Sequence, residues 1–404
     1  MKKKISFVLI ILMTSLLFSK SFFGTRYFET KVDVPFNFSN NTFGLFDIFQ
    51  KELVIDLTKI ANEMPKNGLT SILNVSPNYG FTLNINDYFI LSPKIGFDIY
   101  GSANISKSFF DFVGNGNQLG ENLEFSASAN ADVYACASVL IGVKIRKLRI
   151  GISPHLFIPL YTASADNFVL NVENSQNGNV KIHGNGNVAL YTNFYDIDGT
   201  SEDYSEQINE LINSLYSSMG VDLSGYFAWD FSKALSLDFN YQVPIRYGLY
   251  RFKSNYNMNF NFETSVSELA NGNIIKDYKT ETASENVNFK IYRPMKFNIA
   301  IKYAPFDSLL TLNIKGGVGV YHPFMNDFVV YPEYFAGIKV SCIGLISAQL
   351  STEYIDRVFA HTFSTSLNLR FVQIDTGLKL SSSNFLSTFK ATGIGGFVSV
   401  SVGF

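Results

Sequence analysis

Leu123-Glu124-Phe125-Ser126-Ala127-Ser128-Ala129-Asn130-Ala131-Asp132-Val133-Tyr134-Ala135-Cys136-Ala137-Ser138-Val139-Leu140-Ile141-Gly142-Val143-Lys144-Ile145 decides the fold. Every odd position is apolar, while the even ones include Glu124, Ser126, Ser128, Asn130, Asp132, Ser138 and Lys144. A period of two puts successive side chains on opposite faces of a strand, so one face is greasy and the other wet. Strands of globular proteins usually run to about 5 or 6 residues. An alternation of some two dozen calls for a much taller sheet, even if a bulge or bend divides it. After Arg146 and Lys147 the apolar face moves to the even positions Leu148, Ile150, Ile152, Leu156, Ile158 and Leu160. A two-residue hairpin produces that change of phase.

The same pattern extends in both directions. Upstream, Phe28, Thr30, Val32, Val34, Phe36 and Phe38 alternate with Glu29, Lys31, Asp33 and Asn37. Downstream, Val221 to Phe231 leads through Ser232 and Lys233 to Leu235–Leu249, and further strands are expected at 256–262, 297–303, 310–320, 336–342, 346–354, 363–371 and 374–380. No segment has the roughly 18 uncharged apolar residues of a membrane helix. Yet 47% of the residues are hydrophobic and only 16% charged, against about 25% charged in ordinary soluble domains. A soluble β-sandwich would show shorter strands and a more polar outer face. In a bilayer every backbone donor and acceptor must be satisfied, so greasy-faced strands close on themselves. The expected fold is all-β: an antiparallel transmembrane β-barrel of about 14 strands, with 12 to 16 allowed, since single-chain barrels of this kind have even numbers.

The ends of the chain give a compartment. Lys2, Lys3 and Lys4 precede the uncharged apolar stretch Ile5–Phe18, which is too short to span a bilayer. Ser19-Lys20-Ser21 then offers small-x-small spacing, so residues 1–21 read as a signal peptide cleaved near Ser21. Cleavage would remove four lysines and no acid, taking the net charge from -2 to -6. The only cysteines are Cys136 and Cys342, which excludes a lipoprotein signal, a disulfide scaffold and a thiolate zinc cluster. Residues 22–404 are expected to form one domain.

At the C-terminus Val398, Val400 and Val402 alternate with Ser399, Ser401 and Gly403 before the final Phe404. This resembles the terminal assembly signal of bacterial outer-membrane proteins. That resemblance implies barrel-assembly machinery and periplasmic chaperones as partners, with outer-membrane lipid as surroundings. Val287–Tyr303, with Arg293-Pro294 ahead of Phe297, Ile299 and Ile301, is similar to the polar strand, proline and strand pattern of the long-chain fatty acid transporter type. Those barrels carry hydrophobic molecules through a plugged lumen and a lateral opening. No Asn-Pro-Ala hatch sequence stands near the N-terminus, so that mechanism does not carry over. The chain also resembles uncharacterised outer-membrane barrels of similar length, for which membership implies location.

Two stretches break the alternation. Apolar residues at near-helical spacing predict helices over 46–64, ended by Pro65-Lys66-Asn67-Gly68, and over 203–219, where Ile208, Leu211, Ile212, Leu215, Tyr216 and Met219 share one face. Both read as loop helices or as pieces of a plug. Asn- and Gly-rich segments at 114–120, 174–187 and 271–273 read as polar turns.

Catalytic chemistry finds little support. His155, His183, His322 and His361 form no i, i+4 metal pair, and no Gly-x-Ser-x-Gly elbow or Walker sequence is present. His155 could meet Asp166 or a lumen serine in space. Cys136 and Cys342 read as packing residues. The polar phase supplies the expected lumen lining: Glu29, Lys31, Asp33, Glu124, Ser126, Ser128, Asn130, Asp132 and Lys144. Its mixed signs predict a polar interior without strong ion selectivity. Lys144, Arg146, Lys147 and Arg149 surround one hairpin and read first as a solvated turn, with contact to lipid phosphates or the lining of a mouth as the alternative. The expected function is a passive channel or transporter for small solutes, without a cofactor, a metal, nucleic acid or catalysis. The alternative is a structural or surface-interaction barrel with a filled lumen.

Overall fold

The computed structural model describes residues 26–43, 56–85, 88–116, 120–175, 179–193, 216–265, 275–306, 309–321, 323–325, 328–342, 344–355, 358–369, 371–382, 385–390 and 392–404. Eighteen antiparallel segments form one sheet. They are β1 Phe28–Asn40, β2 Leu69–Val75, β3 Asn78–Ile85, β4 Phe89–Ile105, β5 Asn122–Ile145, β6 Leu148–Asn174, β7 Asn179–Thr192, β8 Gly220–Asp230 and β9 Leu235–Arg246. Then come β10 Gly248–Ser265, β11 Ile275–Ile291, β12 Met295–Tyr303, β13 Leu310–Tyr321, β14 Val329–Cys342, β15 Ile346–Ile355, β16 Val358–Leu369, β17 Val372–Ser382 and β18 Gly393–Gly403.

Four staves of the wall are made of two segments in line. β2 and β3 continue one register against both β1 and β4 and are separated by Ser76-Pro77, where proline supplies no N–H to the ladder. β7 pairs with the far half of β6 and β8 with its near half, on the same flank. The β9–β12 ladder continues into the β10–β11 ladder through Tyr247 on one side and Tyr292-Arg293-Pro294 on the other. Eighteen segments therefore make fourteen staves, and the ring closes from Glu29↔Gly403 to Ser39↔Gly393 between β1 and β18. This is the closed antiparallel barrel expected from the dyad pattern, inside the 12 to 16 window.

Closure leaves no free edge in the bilayer, and the exposed apolar face follows the predicted phase. Val32, Val34, Phe36 and Phe38 on β1, Ile338 and Val340 on β14, Leu350 on β15 and Val398, Val400 and Val402 on β18 all point outward. Leu350 is 64% exposed. In water such a continuous belt would be an aggregation surface, whereas lipid makes it the stable arrangement. The fold is that of an outer-membrane β-barrel. Short turns such as Arg146-Lys147 and 231–234 gather at the end that also holds Arg26 and Phe404, the first and last described residues, the arrangement of a periplasmic face. Phe28 and Phe404 exchange backbone hydrogen bonds of 3.3 and 3.0 Å there, with their rings 6.1 Å apart.

The opposite end carries the longer connections. Helix α1, Leu57–Glu63, starts where Lys59 N donates to Asp56 Oδ1 at 2.9 Å. Helix α2, Lys107–Asn115, lays Phe109 and Phe112 on Phe125, so this residue of the greasy phase is covered by protein rather than lipid. α2 was not expected. Of the helix expected over 46–64, residues 57–63 are helical and 46–55 lie outside the described residues. Of the second, only 216–219 are described, and 216–218 form one helical turn. The polar turn expected at 174–187 is corrected, because β7 runs from Asn179 to Thr192 and pairs on both edges. Val180, Ile182, Val188 and Leu190 keep one phase, but Gly184 and Gly186 interrupt the apolar row and Asn185 and Asn187 give the stretch the composition of a turn.

Between β7 and β8 the flank of β6 has a seam. There Asn193, buried, donates from Nδ2 to Pro159 O at 2.8 Å and accepts from Arg251 N at 3.1 Å.

Candidate functional site: an arginine across the lumen

Pro294 interrupts the stave β11/β12 just after Arg293, and the arginine side chain runs inward across the barrel. Its Nη2 lies 2.7 Å from Asp98 Oδ2 on β4, and its Nε 3.5 Å from Asp222 Oδ2 on β8. Nη1 lies 3.3 Å from Cys136 Sγ on β5 and 3.3 Å from His155 Nε2 on β6. Its guanidinium carbon stands 5.8 Å from the Phe157 ring centre. One side chain thus spans from β11/β12, past β9/β10, to four consecutive staves.

The energetics of this cluster are those of a buried ion pair. Asp222 is 1% exposed, and its carboxylate oxygens accept no hydrogen bond among the described residues. The polar side chains that face it are Arg293 and, at 3.6 Å, the ring of His155. Arg293 and Asp98 are 16% and 17% exposed. Asp98 and Asp222 both face the one guanidinium, so the arginine cannot leave without a large electrostatic cost. Oxygen, sulfur and nitrogen of Asp98, Cys136 and His155 all lie within 4.8 Å of one another, a donor set of the kind that holds a transition metal. Arg293 Nη1 already touches two of the three, so guanidinium and metal ion are alternatives at this spot.

An aromatic layer lies on the far side of the cluster. Phe157 and Tyr250 are completely buried and Tyr134 nearly so. Tyr134 and Phe157 meet edge to face at 6.0 Å, and Tyr191 stacks on Phe289 at 4.6 Å. Thr162 Oγ1 donates to Asp132 Oδ1 at 2.5 Å and lies 2.7 Å from Tyr250 OH. Gly220 and Gly248 make room for the layer, since a Cβ at either would come within 2.1 and 2.7 Å of the Phe157 ring.

Cavities lie on both sides of this diaphragm. Toward the termini, one of about 320 Å³ touches Lys31, Asp33, Asp98 and Arg293. A second of about 280 Å³ shares Ser224 and Gln242 with it, and a third of about 740 Å³ opens among the short turns. Toward the long loops, a cavity of about 480 Å³ is lined by Asn185, Asn187, Asn255, Asn257 and Asn259. It has no lining residue in common with the other three.

The residues singled out in the sequence fall at different heights. Glu29, Lys31 and Asp33 share the inner phase of β1, where Arg26 pairs with Glu29 at 3.4 Å and Asn78 donates to Asp33 at 3.4 Å. Asp132 belongs to the aromatic layer and Lys144 to the short-turn cavity. Glu124, Ser126, Ser128 and Asn130 continue the inner phase of β5 higher up and border none of the four cavities. His155 faces Asp222 and Arg293, while the side chain of Asp166 lies outside the described residues. Cys136 and Cys342 are both free. Asp98 and Asp222 gave no sequence signal. The only trace of Arg293 was its place beside a proline between two alternating runs.

No family model matches the chain, and no curated protein matches it either. Its fold does recur among solved structures. A deltaS2S3 mutant of the TodX monoaromatic hydrocarbon channel aligns over 96% of this chain and 94% of its own, at 10% identity and a TM-score of 0.50. The Ralstonia pickettii toluene transporter TbuX covers 96% of this chain and 93% of its own at 8% identity and TM-score 0.45. The P. putida toluene transporter TodX covers 93% and 89% at 10% identity and TM-score 0.44. At these identities the likeness is one of architecture.

Proposed function

We propose that this barrel is a passive outer-membrane channel for small polar solutes, gated at mid-height by Arg293 and the aromatic layer behind it. The observation that carries the reading is the polar inner phase, which opens into cavities on both sides of a single ionic and aromatic closure. A polar lining lowers the cost of moving a hydrated solute through the bilayer, and a narrow charged constriction sets when it passes. The structural neighbour at TM-score 0.50 is described as a monoaromatic hydrocarbon channel. The lining of asparagine, serine, lysine and aspartate in this chain supports a polar cargo instead. The reading includes export by the signal peptide ending near Ser21, and insertion by barrel-assembly machinery reading Val398, Val400, Val402 and Phe404. Glu29, Lys31, Asp33, Asp132 and Lys144 serve as lumen lining and not as catalysts.

The test is single-channel recording of the refolded mature chain and of Arg293→Ala in planar bilayers. The natural chain is expected to give small or brief openings, and Arg293→Ala longer ones of at least about twofold larger conductance that scale with salt. Silence from both, in protein that inserts and migrates as a folded barrel, would refute the channel and leave the filled-lumen barrel in its place.

A further inference from the structure

We infer that the short-turn mouth of the barrel is a binding vestibule for small polyanions, solutes or head groups carrying phosphate or clustered carboxylates; the inference deepens the channel reading by naming its solute class. The cavity there measures about 740 Å³, within the usual range of small-molecule sites. Six cations border it: Lys144, Arg146, Lys147, Arg149, Lys233 and Lys302. They come from β5, the β5–β6 turn, β6, the β8–β9 turn and β12, so the chain brings them together from residues more than 150 positions apart.

Their charge is not cancelled locally. Arg149 takes both nearby acids, Asp230 at 3.0 Å and Asp238 at 3.4 Å. Lys147 spends its ammonium on the backbone oxygen of Phe231 at 3.1 Å. Lys144, Arg146, Lys233 and Lys302 are exposed and make no ion pair among the described residues. Asp87 and Asp307 lie outside the described residues. Among the described residues, six cations face two acids, Asp230 and Asp238. Tyr88 and Tyr226 form part of the remaining wall, which lowers the local dielectric and strengthens the field inside. A surplus of like charge around a concave space of this size favours a ligand that brings two or more negative charges at once. A single solvated hairpin, the reading suggested by Lys144 to Arg149 alone, does not account for Lys233 and Lys302.

The experiment uses inorganic triphosphate as the probe, titrated calorimetrically into the folded full-length barrel in zwitterionic detergent at low salt. Saturable binding of one triphosphate per barrel is expected. K144Q/K302Q should weaken it at least about tenfold, and Lys94→Gln, deeper in the lumen, should leave it within about twofold. A second arm records reversal potentials of Arg293→Ala in a chloride gradient. A vestibule potential of one to two kT gives roughly a three- to sevenfold preference for anions, lost in the triple variant with K144Q/K302Q. Displacement of triphosphate by cardiolipin, with its two phosphates, but not by phosphatidylcholine would identify a lipid head group as the source, and no displacement a free solute. Absence of binding, or equal loss with Lys94→Gln, overturns the proposal. A silent barrel that still binds triphosphate refutes the channel alone, and a conducting barrel that does not bind refutes the vestibule alone.

Discussion

Removing the arginine while leaving its acids should cost far more than removing all of them. Arg293→Met keeps much of the side-chain volume but strips the partner from Asp98 and from Asp222, which is 1% exposed. Orphaning one member of a buried ion pair typically costs about 3–5 kcal/mol. With a urea slope of about 2 kcal/mol per molar, the unfolding midpoint should fall by roughly 1.5–2.5 M. The variant Asp98→Asn, Asp222→Asn, Arg293→Met removes every charge of the cluster together, and should recover to within about 1.5 kcal/mol of the natural chain. Trp229 is the single tryptophan and lies on the outer face, so its fluorescence follows insertion and unfolding in lipid vesicles without further labelling. A loss under about 1 kcal/mol for Arg293→Met, or a triple variant no more stable than the single one, would refute the claim that this pair is held in a dry, low-dielectric lumen.

Two further outcomes follow from the two faces of the wall. Leu350→Arg places a charge in the lipid and should cost about 2–4 kcal/mol near the midplane, while Ser351→Arg on the next, inward position should cost under about 1 kcal/mol in the same urea titration. Deleting Phe404 removes the ring beside Phe28 and both backbone hydrogen bonds to it. It should lower the heat-modifiable, folded fraction in the membrane several-fold, and an unchanged fraction would remove any assembly role from that residue.

Much of the wall could be read from the chain because lipid imposes a simple rule on it. Where one face meets hydrocarbon, as in Leu123–Ile145 or Phe28–Phe38, the alternation is written into the residues and the strand is visible. Where a strand does not alternate apolar with polar, the rule lapses. β11, with Lys276-Asp277-Tyr278-Lys279-Thr280-Glu281, carries no such signal and is held by its ladder with β10, while in β7 Gly184 and Gly186 interrupt the apolar row of Val180, Ile182, Val188 and Leu190. The diaphragm was hidden for a different reason. Asp98, Cys136, His155, Asp222 and Arg293 lie on five staves up to 195 positions apart, and each alone looks like an ordinary inward-facing residue. Their meaning is in the closure of the ring, which fixes who stands opposite whom. In the sequence Arg293 marks only a break before Pro294, whereas its side chain is what the break delivers.

The seam at Asn193 has an architectural consequence. Since β8, β9 and β12 pair with one another and with β6 and β13 without help from β7, β10 or β11, the part of the barrel nearer the termini is a complete hoop. The upper three segments hang from the long rib β6 like a canopy. The backbone passes from hoop to canopy along β6, through Tyr247 and through Tyr292-Arg293-Pro294, and the Asn193 amide fills the gap between β7 and β8. Length, charge and shape on the canopy side can therefore drift under selection without reopening the ring that the bilayer requires.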